Sequence, residues 1–301
     1  MKDYIVFTVS SNKKLAKDFA KFWNCALGKV EISKFEDGEV LVKPISDVKD
    51  KDVIIIESTA RKVNDSVFNL LMLLDAIHRL EPKSVTLIVP YLGYSRQERI
   101  NNPNEPISCE IMAKVLETAS YDKLMTFDIH HPGVSKFFSR GIKNIPTTDV
   151  FAAYFSNYFK ENNINIKDVV VVSPDKGSNS RVDLLLFKFF GAKKVVLEKI
   201  RPTADRVEHN DISLDVNGKV CIILDDIIST GRTIASSVKV LRSKGAKTIL
   251  VAATHGVFAK GAVDIIKKAG AKEIIVTNTI EQEKNDKVTY LDVLSLLSEN
   301  I

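Results

Sequence analysis

Two adjacent carboxylates, Asp225 and Asp226, end the apolar run Val220-Cys221-Ile222-Ile223-Leu224, and Ile227-Ile228-Ser229-Thr230-Gly231-Arg232-Thr233 leads straight into a helix-period segment. Backbone N–H groups and hydroxyls at a helix start bind phosphate, while carboxylates beside them accept bonds from sugar hydroxyls or hold a metal. The chemistry such a stretch can do is that of a sugar-phosphate cradle. Asp128-Ile129-His130 closes another apolar run, and strand alternation predicts Asp128 and His130 on one side, where together they can hold Mg²⁺ and the phosphates it bridges. Asp175 likewise follows the run Val169 to Val172. Arg96 and Gln97 follow the run Val85 to Val89, and an arginine beside a side-chain amide suits phosphate and purine recognition. Lys199 and Arg201 lie two apart on an extended segment, so they face the same way. Such a pair is either a solvated charge pair or, if a lid carries it, a clamp for a diphosphate.

These residues need strands and helices to hold them. Nine short β-branched runs recur: Tyr4 to Val9, Val53 to Ile56, Val85 to Val89, Leu124 to Phe127, Val169 to Val172, Val195 to Leu197, Val220 to Leu224, Thr248 to Ala252 and Glu273 to Val276. Most precede a helix-period segment, the pattern of parallel strands with crossover helices, so the fold class is α/β. Helices are expected over Val67 to Leu80, capped by Asn64 or Asp65, over Val150 to Phe159, opened by Thr147-Thr148-Asp149, and over Ile234 to Lys244, stopped by Gly245. The segment Gly141 to Thr148 reads as a crossing between two halves with the same strand-loop-helix grammar. Arg201 to Lys219 lacks apolar periodicity and reads as a lid or insert. Trp23, with Phe19 and Phe22 near it, and the stripe Met72 to Leu74 are assigned to packing.

The 301 residues, 45% hydrophobic and 27% charged, exclude a disordered or collagen-like chain. No apolar run is long enough to span a membrane, and the first residues lack a signal-peptide pattern, so a cytoplasmic location is expected. Cys25, Cys109 and Cys221 are too few and too scattered for a disulfide framework or a zinc site, and are read as reduced and buried. The net charge of +5 is spread over lysine pairs without interleaved aromatics, which argues against a nucleic-acid partner and leaves anionic small molecules open.

The stretch Asp225 to Thr233 resembles the phosphoribosyl-diphosphate (PRPP) loop of the type I phosphoribosyltransferase fold. Alone it does not separate a phosphoribosyltransferase from an enzyme that makes PRPP. Phe35-Glu36-Asp37-Gly38-Glu39, Pro90 to Arg99, Pro106-Ile107-Ser108, Thr126 to His130 and Ser173-Pro174-Asp175 resemble, in order, the motifs of ribose-phosphate diphosphokinase, or PRPP synthetase. The shorter chain and the wording of Asp225 to Gly231 look more like archaeal-type members than the bacterial ones inhibited by ADP.

The resemblance implies two phosphoribosyltransferase-like domains, each a mostly parallel sheet flanked by helices: residues 1–145, completed by 283–301, on the ATP side, and 146–282 on the ribose 5-phosphate side. It implies that Phe35, Asp37, Glu39, Arg96 and Gln97 bind ATP, with the Phe35 loop reaching adenine in a neighbouring subunit of a homo-oligomer. Asp225, Asp226, Ser229, Thr230, Gly231, Arg232 and Thr233 would take ribose 5-phosphate; Asp128, His130 and Asp175 would serve Mg²⁺; Lys199, Arg201 and His130 would be catalytic. Ser229 stands where many members have aspartate and Arg232 where glycine is usual, while Ser139 and Lys143 replace acidic residues of a secondary cation site.

Overall fold

The computed structural model describes residues 3–197 and 215–301, with only the backbone of Lys176, and also the backbone of 199–203 and 206–209. Two compact units form: residues 1–145, 278–282 and 294–301 in the first, 146–277 and 283–293 in the second.

The first unit runs β1 (Tyr4–Phe7), α1 (Lys13–Phe22), β2 (Ala26–Leu27), β3 (Val30–Lys34), β4 (Val40–Pro44), β5 (Asp52–Ile56), α2 (Val63–His78), β6 (Ser84–Ile88), α3 (Ser108–Glu117), β7 (Lys123–Phe127) and β8 (Lys143–Ile145). Six of these strands make a parallel sheet in the order β2-β1-β5-β6-β7-β8, and β3 and β4 form a separate antiparallel ribbon. Ile5, Phe7, Val53, Ile55, Val85 and Leu87 alternate onto one face, against Leu70, Leu74 and Ile77 of α2 and Met112 and Leu116 of α3. Their strand neighbours Val6, Ile54, Ile56 and Ile88 are buried as well. Burial on both faces is why these strands read as continuous apolar runs.

The second unit runs α4 (Thr148–Glu161), β9 (Val169–Ser173), α5 (Asn179–Lys188), β10 (Lys193–Val196), β11 (Lys199–Thr203), β12 (Arg206–His209), β13 (Val220–Ile228), α6 (Arg232–Ser243), β14 (Thr248–Gly256), α7 (Ala262–Ala269), β15 (Glu273–Thr277) and β16 (Val288–Leu291); α8 (Leu294–Asn300) returns to the first unit. Its six-stranded parallel sheet has the order β10-β9-β13-β14-β15-β16, again with an antiparallel ribbon, β11-β12. Val170, Val172, Cys221 and Ile223 pack with Val238 and Leu241 of α6, while Val169, Val171, Ile222 and Leu224 pack with Phe151, Phe155 and Phe159 of α4.

The two sheets match in register as well as order. Tyr4 pairs with Asp52 and Asp52 with Ser84 in the first; Val169 pairs with Val220 and Val220 with Thr248 in the second, all six opening their strands. Two residues further on, Thr86 meets Lys123 just as Leu250 meets Glu273.

Several local expectations are corrected. The stretch after Arg201 contains a hairpin, β11 and β12, whose short alternating strands carry no apolar periodicity of helical kind. Segment 283–293 groups with the second unit, because β16 pairs with β15. The α2 helix starts at Val63, so Asn64 and Asp65 lie in its first turn and do not cap it. Met72 is exposed on the outer face of α2, although Leu73 and Leu74 are core. All three cysteines are free; burial pushes the Cys109 thiol up to about 11 and Cys221 to about 12, but Cys25 is only half-buried. Trp23 stacks on Phe19 at 5.8 Å between ring centroids and meets Tyr4 edge-on, the packing role expected of it. Among the described residues no helix is long and apolar enough to cross a membrane.

Candidate active site

In an open parallel sheet whose order runs 2-1-3, the chain leaves the first and third strands in opposite directions and opens a crevice at their carboxyl ends. In the second unit these ends are β9 and β13, and the carboxylates singled out from the sequence gather there. Asp175 follows β9 and its Oδ1 accepts from the backbone N–H groups of Gly177 at 2.9 Å and Ser178 at 3.3 Å. Ser178 Oγ donates to Asp225 Oδ1, which also accepts from the Asp226 N–H at 2.9 Å. Ser178 thus links Asp175 to the acid pair. Arg181, on the first turns of α5, places Nη1 3.8 Å from Asp226 Oδ1, with both side chains largely buried. Neither Ser178 nor Arg181 stands out in the sequence; a cation early in the helix that follows a strand-end aspartate is the one signal that points to Arg181.

Beyond the acid pair, Ser229 and Thr230 turn the chain into α6, with Gly231 at φ 75° just ahead of Arg232. A Cβ on Gly231 would lie 2.9 Å from the Ala262 carbonyl oxygen, so both the left-handed backbone and the space demand glycine. The Phe258 and Ala259 N–H groups hold the turn by donating to the Ile228 and Ser229 carbonyls, each at 3.0 Å. The first N–H groups of α6 have no partner inside the helix, and Thr230 and Arg232 are exposed beside them. Arg232 places a cation at the rim, which suits an anionic ligand.

Burial, and next to it the negative charge of Asp226, hold the Asp225 carboxyl well above its ordinary range, with the Ser178 hydrogen bond working the other way. A carboxyl with a raised folded-state value binds its proton more tightly when folded, so its charge costs stability as pH rises above about 4. Asp225→Asn is therefore expected to raise Tm at pH 8, each kcal/mol gained being worth about 2–4 °C, and to lose the gain at pH 4, as followed by thermal unfolding at both values. An unchanged or lower Tm at pH 8 would contradict the strained acid pair.

In the first unit the corresponding crevice lies at the ends of β1 and β5, and the candidates sit further along the sheet. Arg96 and Gln97 are exposed on the loop after β6. That loop is held at its root: Tyr91 N–H donates to Ser58 Oγ at 3.1 Å, Thr59 N–H to the Tyr91 carbonyl at 3.0 Å, and Gly93 N–H to Thr59 Oγ1 at 2.7 Å. Asp128 and His130 follow β7. The expected alternation does not hold there, because the strand ends at Phe127 and Asp128 takes φ 34°; Asp128 is buried and His130 half-buried. His131 is exposed and its Nδ1 accepts from the Gly133 N–H at 3.0 Å.

Phe35, Asp37 and Glu39 form the exposed tip of the β3–β4 ribbon, closed by Phe35 N–H to the Glu39 carbonyl at 2.8 Å and Glu39 N–H to Asp37 Oδ1 at 3.1 Å. Lys199 and Arg201 lie on β11, two apart, but their side chains fall outside the described residues. Ser139 and Lys143 are tied into the fold, Ser139 donating to Glu117 and Lys143 to the Asn300 carbonyl.

Among the described residues no three His, Cys, Asp or Glu side chains converge as a metal cage. Mg²⁺ does not require one, since it keeps waters and binds through one or two carboxylates plus substrate phosphates. The mutually repelling Asp225 and Asp226 are a donor pair that a cation would relieve, so the residues present fit the ion.

The architecture defines a tandem doubly wound α/β chain with an acidic crevice and a hydroxyl-rich helix start in its second unit. Residues 4–120 match the family described as the N-terminal domain of ribose phosphate pyrophosphokinase, and residues 196–301 the phosphoribosyl synthetase-associated domain. The ribose-phosphate pyrophosphokinase of Bacillus caldolyticus is 34% identical over 299 residues, covering 98% of this chain and 93% of that one; that of Fusobacterium nucleatum has the same identity and coverage. Among solved structures, phosphoribosylpyrophosphate synthetase from Mycobacterium smegmatis superposes with a TM-score of 0.89 at 30% identity, covering 99% of this chain and 97% of that one. The chain belongs to the ribose-phosphate pyrophosphokinase family, enzymes that transfer a diphosphate group.

Proposed function

We propose that the protein catalyses transfer of the β,γ-diphosphoryl group of ATP to the anomeric hydroxyl of ribose 5-phosphate, giving PRPP and AMP for nucleotide biosynthesis in the cytoplasm, with Mg²⁺ required. The observation that carries this reading is the acid pair Asp225–Asp226 running directly into the Ser229 to Thr233 turn, in a chain of this family.

The second unit is the ribose 5-phosphate side. Ser229, Thr230, Gly231, Arg232 and Thr233 bind the 5-phosphate through N–H groups, hydroxyls and the Arg232 guanidinium. Asp225 and Asp226 accept from the ribose hydroxyls, and Arg181 and Ser178 keep them in place. The first unit is the ATP side: Arg96 and Gln97 hold the nucleotide, and Phe35, Asp37 and Glu39 reach the adenine of a neighbouring subunit in a homo-oligomer. The anomeric oxygen attacks the β-phosphorus, the new O–P bond forms as the bond to the α-phosphate's bridging oxygen breaks, AMP leaves with the electron pair, and the hydroxyl proton passes to solvent. Lys199 and Arg201 stabilise the charge that spreads over the transferred group, since in such transfers the protein mainly positions reactants and neutralises charge. Asp128 and His130 of the first unit and Asp175 of the second would each serve Mg²⁺, with Asp225 and Asp226 beside Asp175; when bound the ion neutralises phosphate charge.

The test is AMP formation from Mg²⁺ and ATP with and without ribose 5-phosphate. AMP that appears only with the sugar phosphate supports the reading. ATP binding without AMP would indicate a non-catalytic homologue, and diphosphate release from PRPP and a base would indicate a phosphoribosyltransferase; either overturns it.

A further inference from the structure

Because the two sheets share order and register, each strand position in one unit has a counterpart in the other. Asp52 and Val220 open the matching strands β5 and β13, so Glu57, five residues beyond Asp52, stands where Asp225 stands beyond Val220. The two carboxylates are held very differently. Asp225 receives a serine hydroxyl and its neighbour's N–H, and the loop after β9 turns its own N–H groups onto Asp175. Glu57 is completely buried, and the loop after β1 closes around it.

The contacts are dense. Oε2 accepts from Val9 N–H at 2.9 Å and Ser10 N–H at 3.2 Å, and Thr8 Oγ1 lies 2.9 Å away. Oε1 accepts from Ser10 N–H at 3.1 Å, Ser11 N–H at 2.9 Å and Ser10 Oγ at 2.7 Å. The single Thr8 proton is shared between Oε2 and the Ser11 carbonyl, against which it also rests. Three successive backbone N–H groups and a hydroxyl aimed at one pair of oxygens form an anion-binding concavity. Nothing about these donors is specific to a side chain; any small oxyanion of the same shape satisfies them.

We propose that the switch-point crevice of the first unit is a latent oxyanion site, shut by Glu57 acting as a tethered carboxylate ligand, and that it takes a free carboxylate once the tether is cut. The inference does not depend on what the second unit binds.

The plug also braces what lies next to it. Ser58 N–H donates to Ser11 Oγ and Asn12 Oδ1, each at 2.8 Å, and Ser58 Oγ accepts from Tyr91, at the root of the Arg96 loop.

The test uses full-length Glu57→Ala, with formate as the probe and chloride at equal ionic strength as the control. Formate is chosen because phosphate would also act at the second unit. Thermal unfolding of the variant should be lowered and should recover saturably with formate, by about 4 °C at tenfold the dissociation constant, whereas the unmutated protein and Glu57→Gln respond alike to both salts. A variant that follows formate and chloride identically refutes the latent site and leaves Glu57 a structural staple. If Glu57→Ala does not fold in chloride, refolding from denaturant decides: native circular dichroism regained only with formate supports the site, and none regained with formate refutes it.

Discussion

Lys199→Ala is expected to lower kcat by about two to three orders of magnitude while leaving KM for ATP nearly unchanged. Lys199 opens β11 opposite His209, in an antiparallel ribbon separate from the six-stranded sheet. Thermal unfolding of the variant, run alongside, checks that it stays folded. The proposed work of Lys199 is confined to the transition state, where charge spreads over the transferred diphosphoryl group; an interaction made only there appears in kcat and not in ground-state affinity. Steady-state kinetics with ATP and ribose 5-phosphate varied separately decide the matter. Lys199→Arg keeps the charge but changes its geometry, and should recover part of the loss. Near-normal kcat in Lys199→Ala would remove the residue from the mechanism, and a large rise in KM for ATP would make it a binding residue instead.

Phe155→Ala should produce the largest loss of stability, about 3–5 kcal/mol. Phe155 is fully buried on α4 and stacks with Phe151 at 6.4 Å and Phe159 at 6.2 Å, with Tyr154 edge-on at 5.5 Å. Phe151, Phe155 and Phe159, spaced four apart, form the apolar stripe by which α4 covers Val169, Val171 and Ile222. Removing the central ring leaves a cavity between helix and sheet that rigid strands cannot close. Calorimetry should show the midpoint falling by roughly 10 °C. Activity per folded molecule well below the midpoint should stay close to normal, because the ring packs in the apolar layer between α4 and the sheet. A loss under about 1 kcal/mol would mean that α4 repacks freely against the sheet.

Much of the scaffold was legible because parallel strands buried on both faces must be apolar at every position. The nine runs read from the sequence are the eight interior strands β1, β5, β6, β7, β9, β13, β14 and β15, together with the edge strand β10. Escaping notice were the edges β2, β8 and β16 and the ribbons β3–β4 and β11–β12, which are short or half-exposed and so lack such runs. For β3 a fainter signal existed: Val30 and Ile32 alternate with the polar Lys29, Glu31 and Ser33 ahead of the Phe35 to Glu39 turn.

The hydroxyl-rich turn was equally legible, since Asp225 to Thr233 are neighbours in the chain and covalent connectivity alone keeps them together at a strand-to-helix junction. Alternation misled at Asp128, because it holds only while the backbone stays extended, and β7 ends one residue earlier.

By itself, then, the sequence determined the α/β class, the central strands and the local order of the acid pair and its turn, all of which depend on periodicity or adjacency within a few residues. The tertiary structure alone decided that Ser178 and Arg181 brace the acid pair, that Met72 faces outward, and that Glu57 matches Asp225 while being enclosed by Val9, Ser10 and Ser11. Those relations join residues tens of positions apart, and what sets them is the register of strand against strand, which shared backbone hydrogen bonds specify and no single segment's composition records.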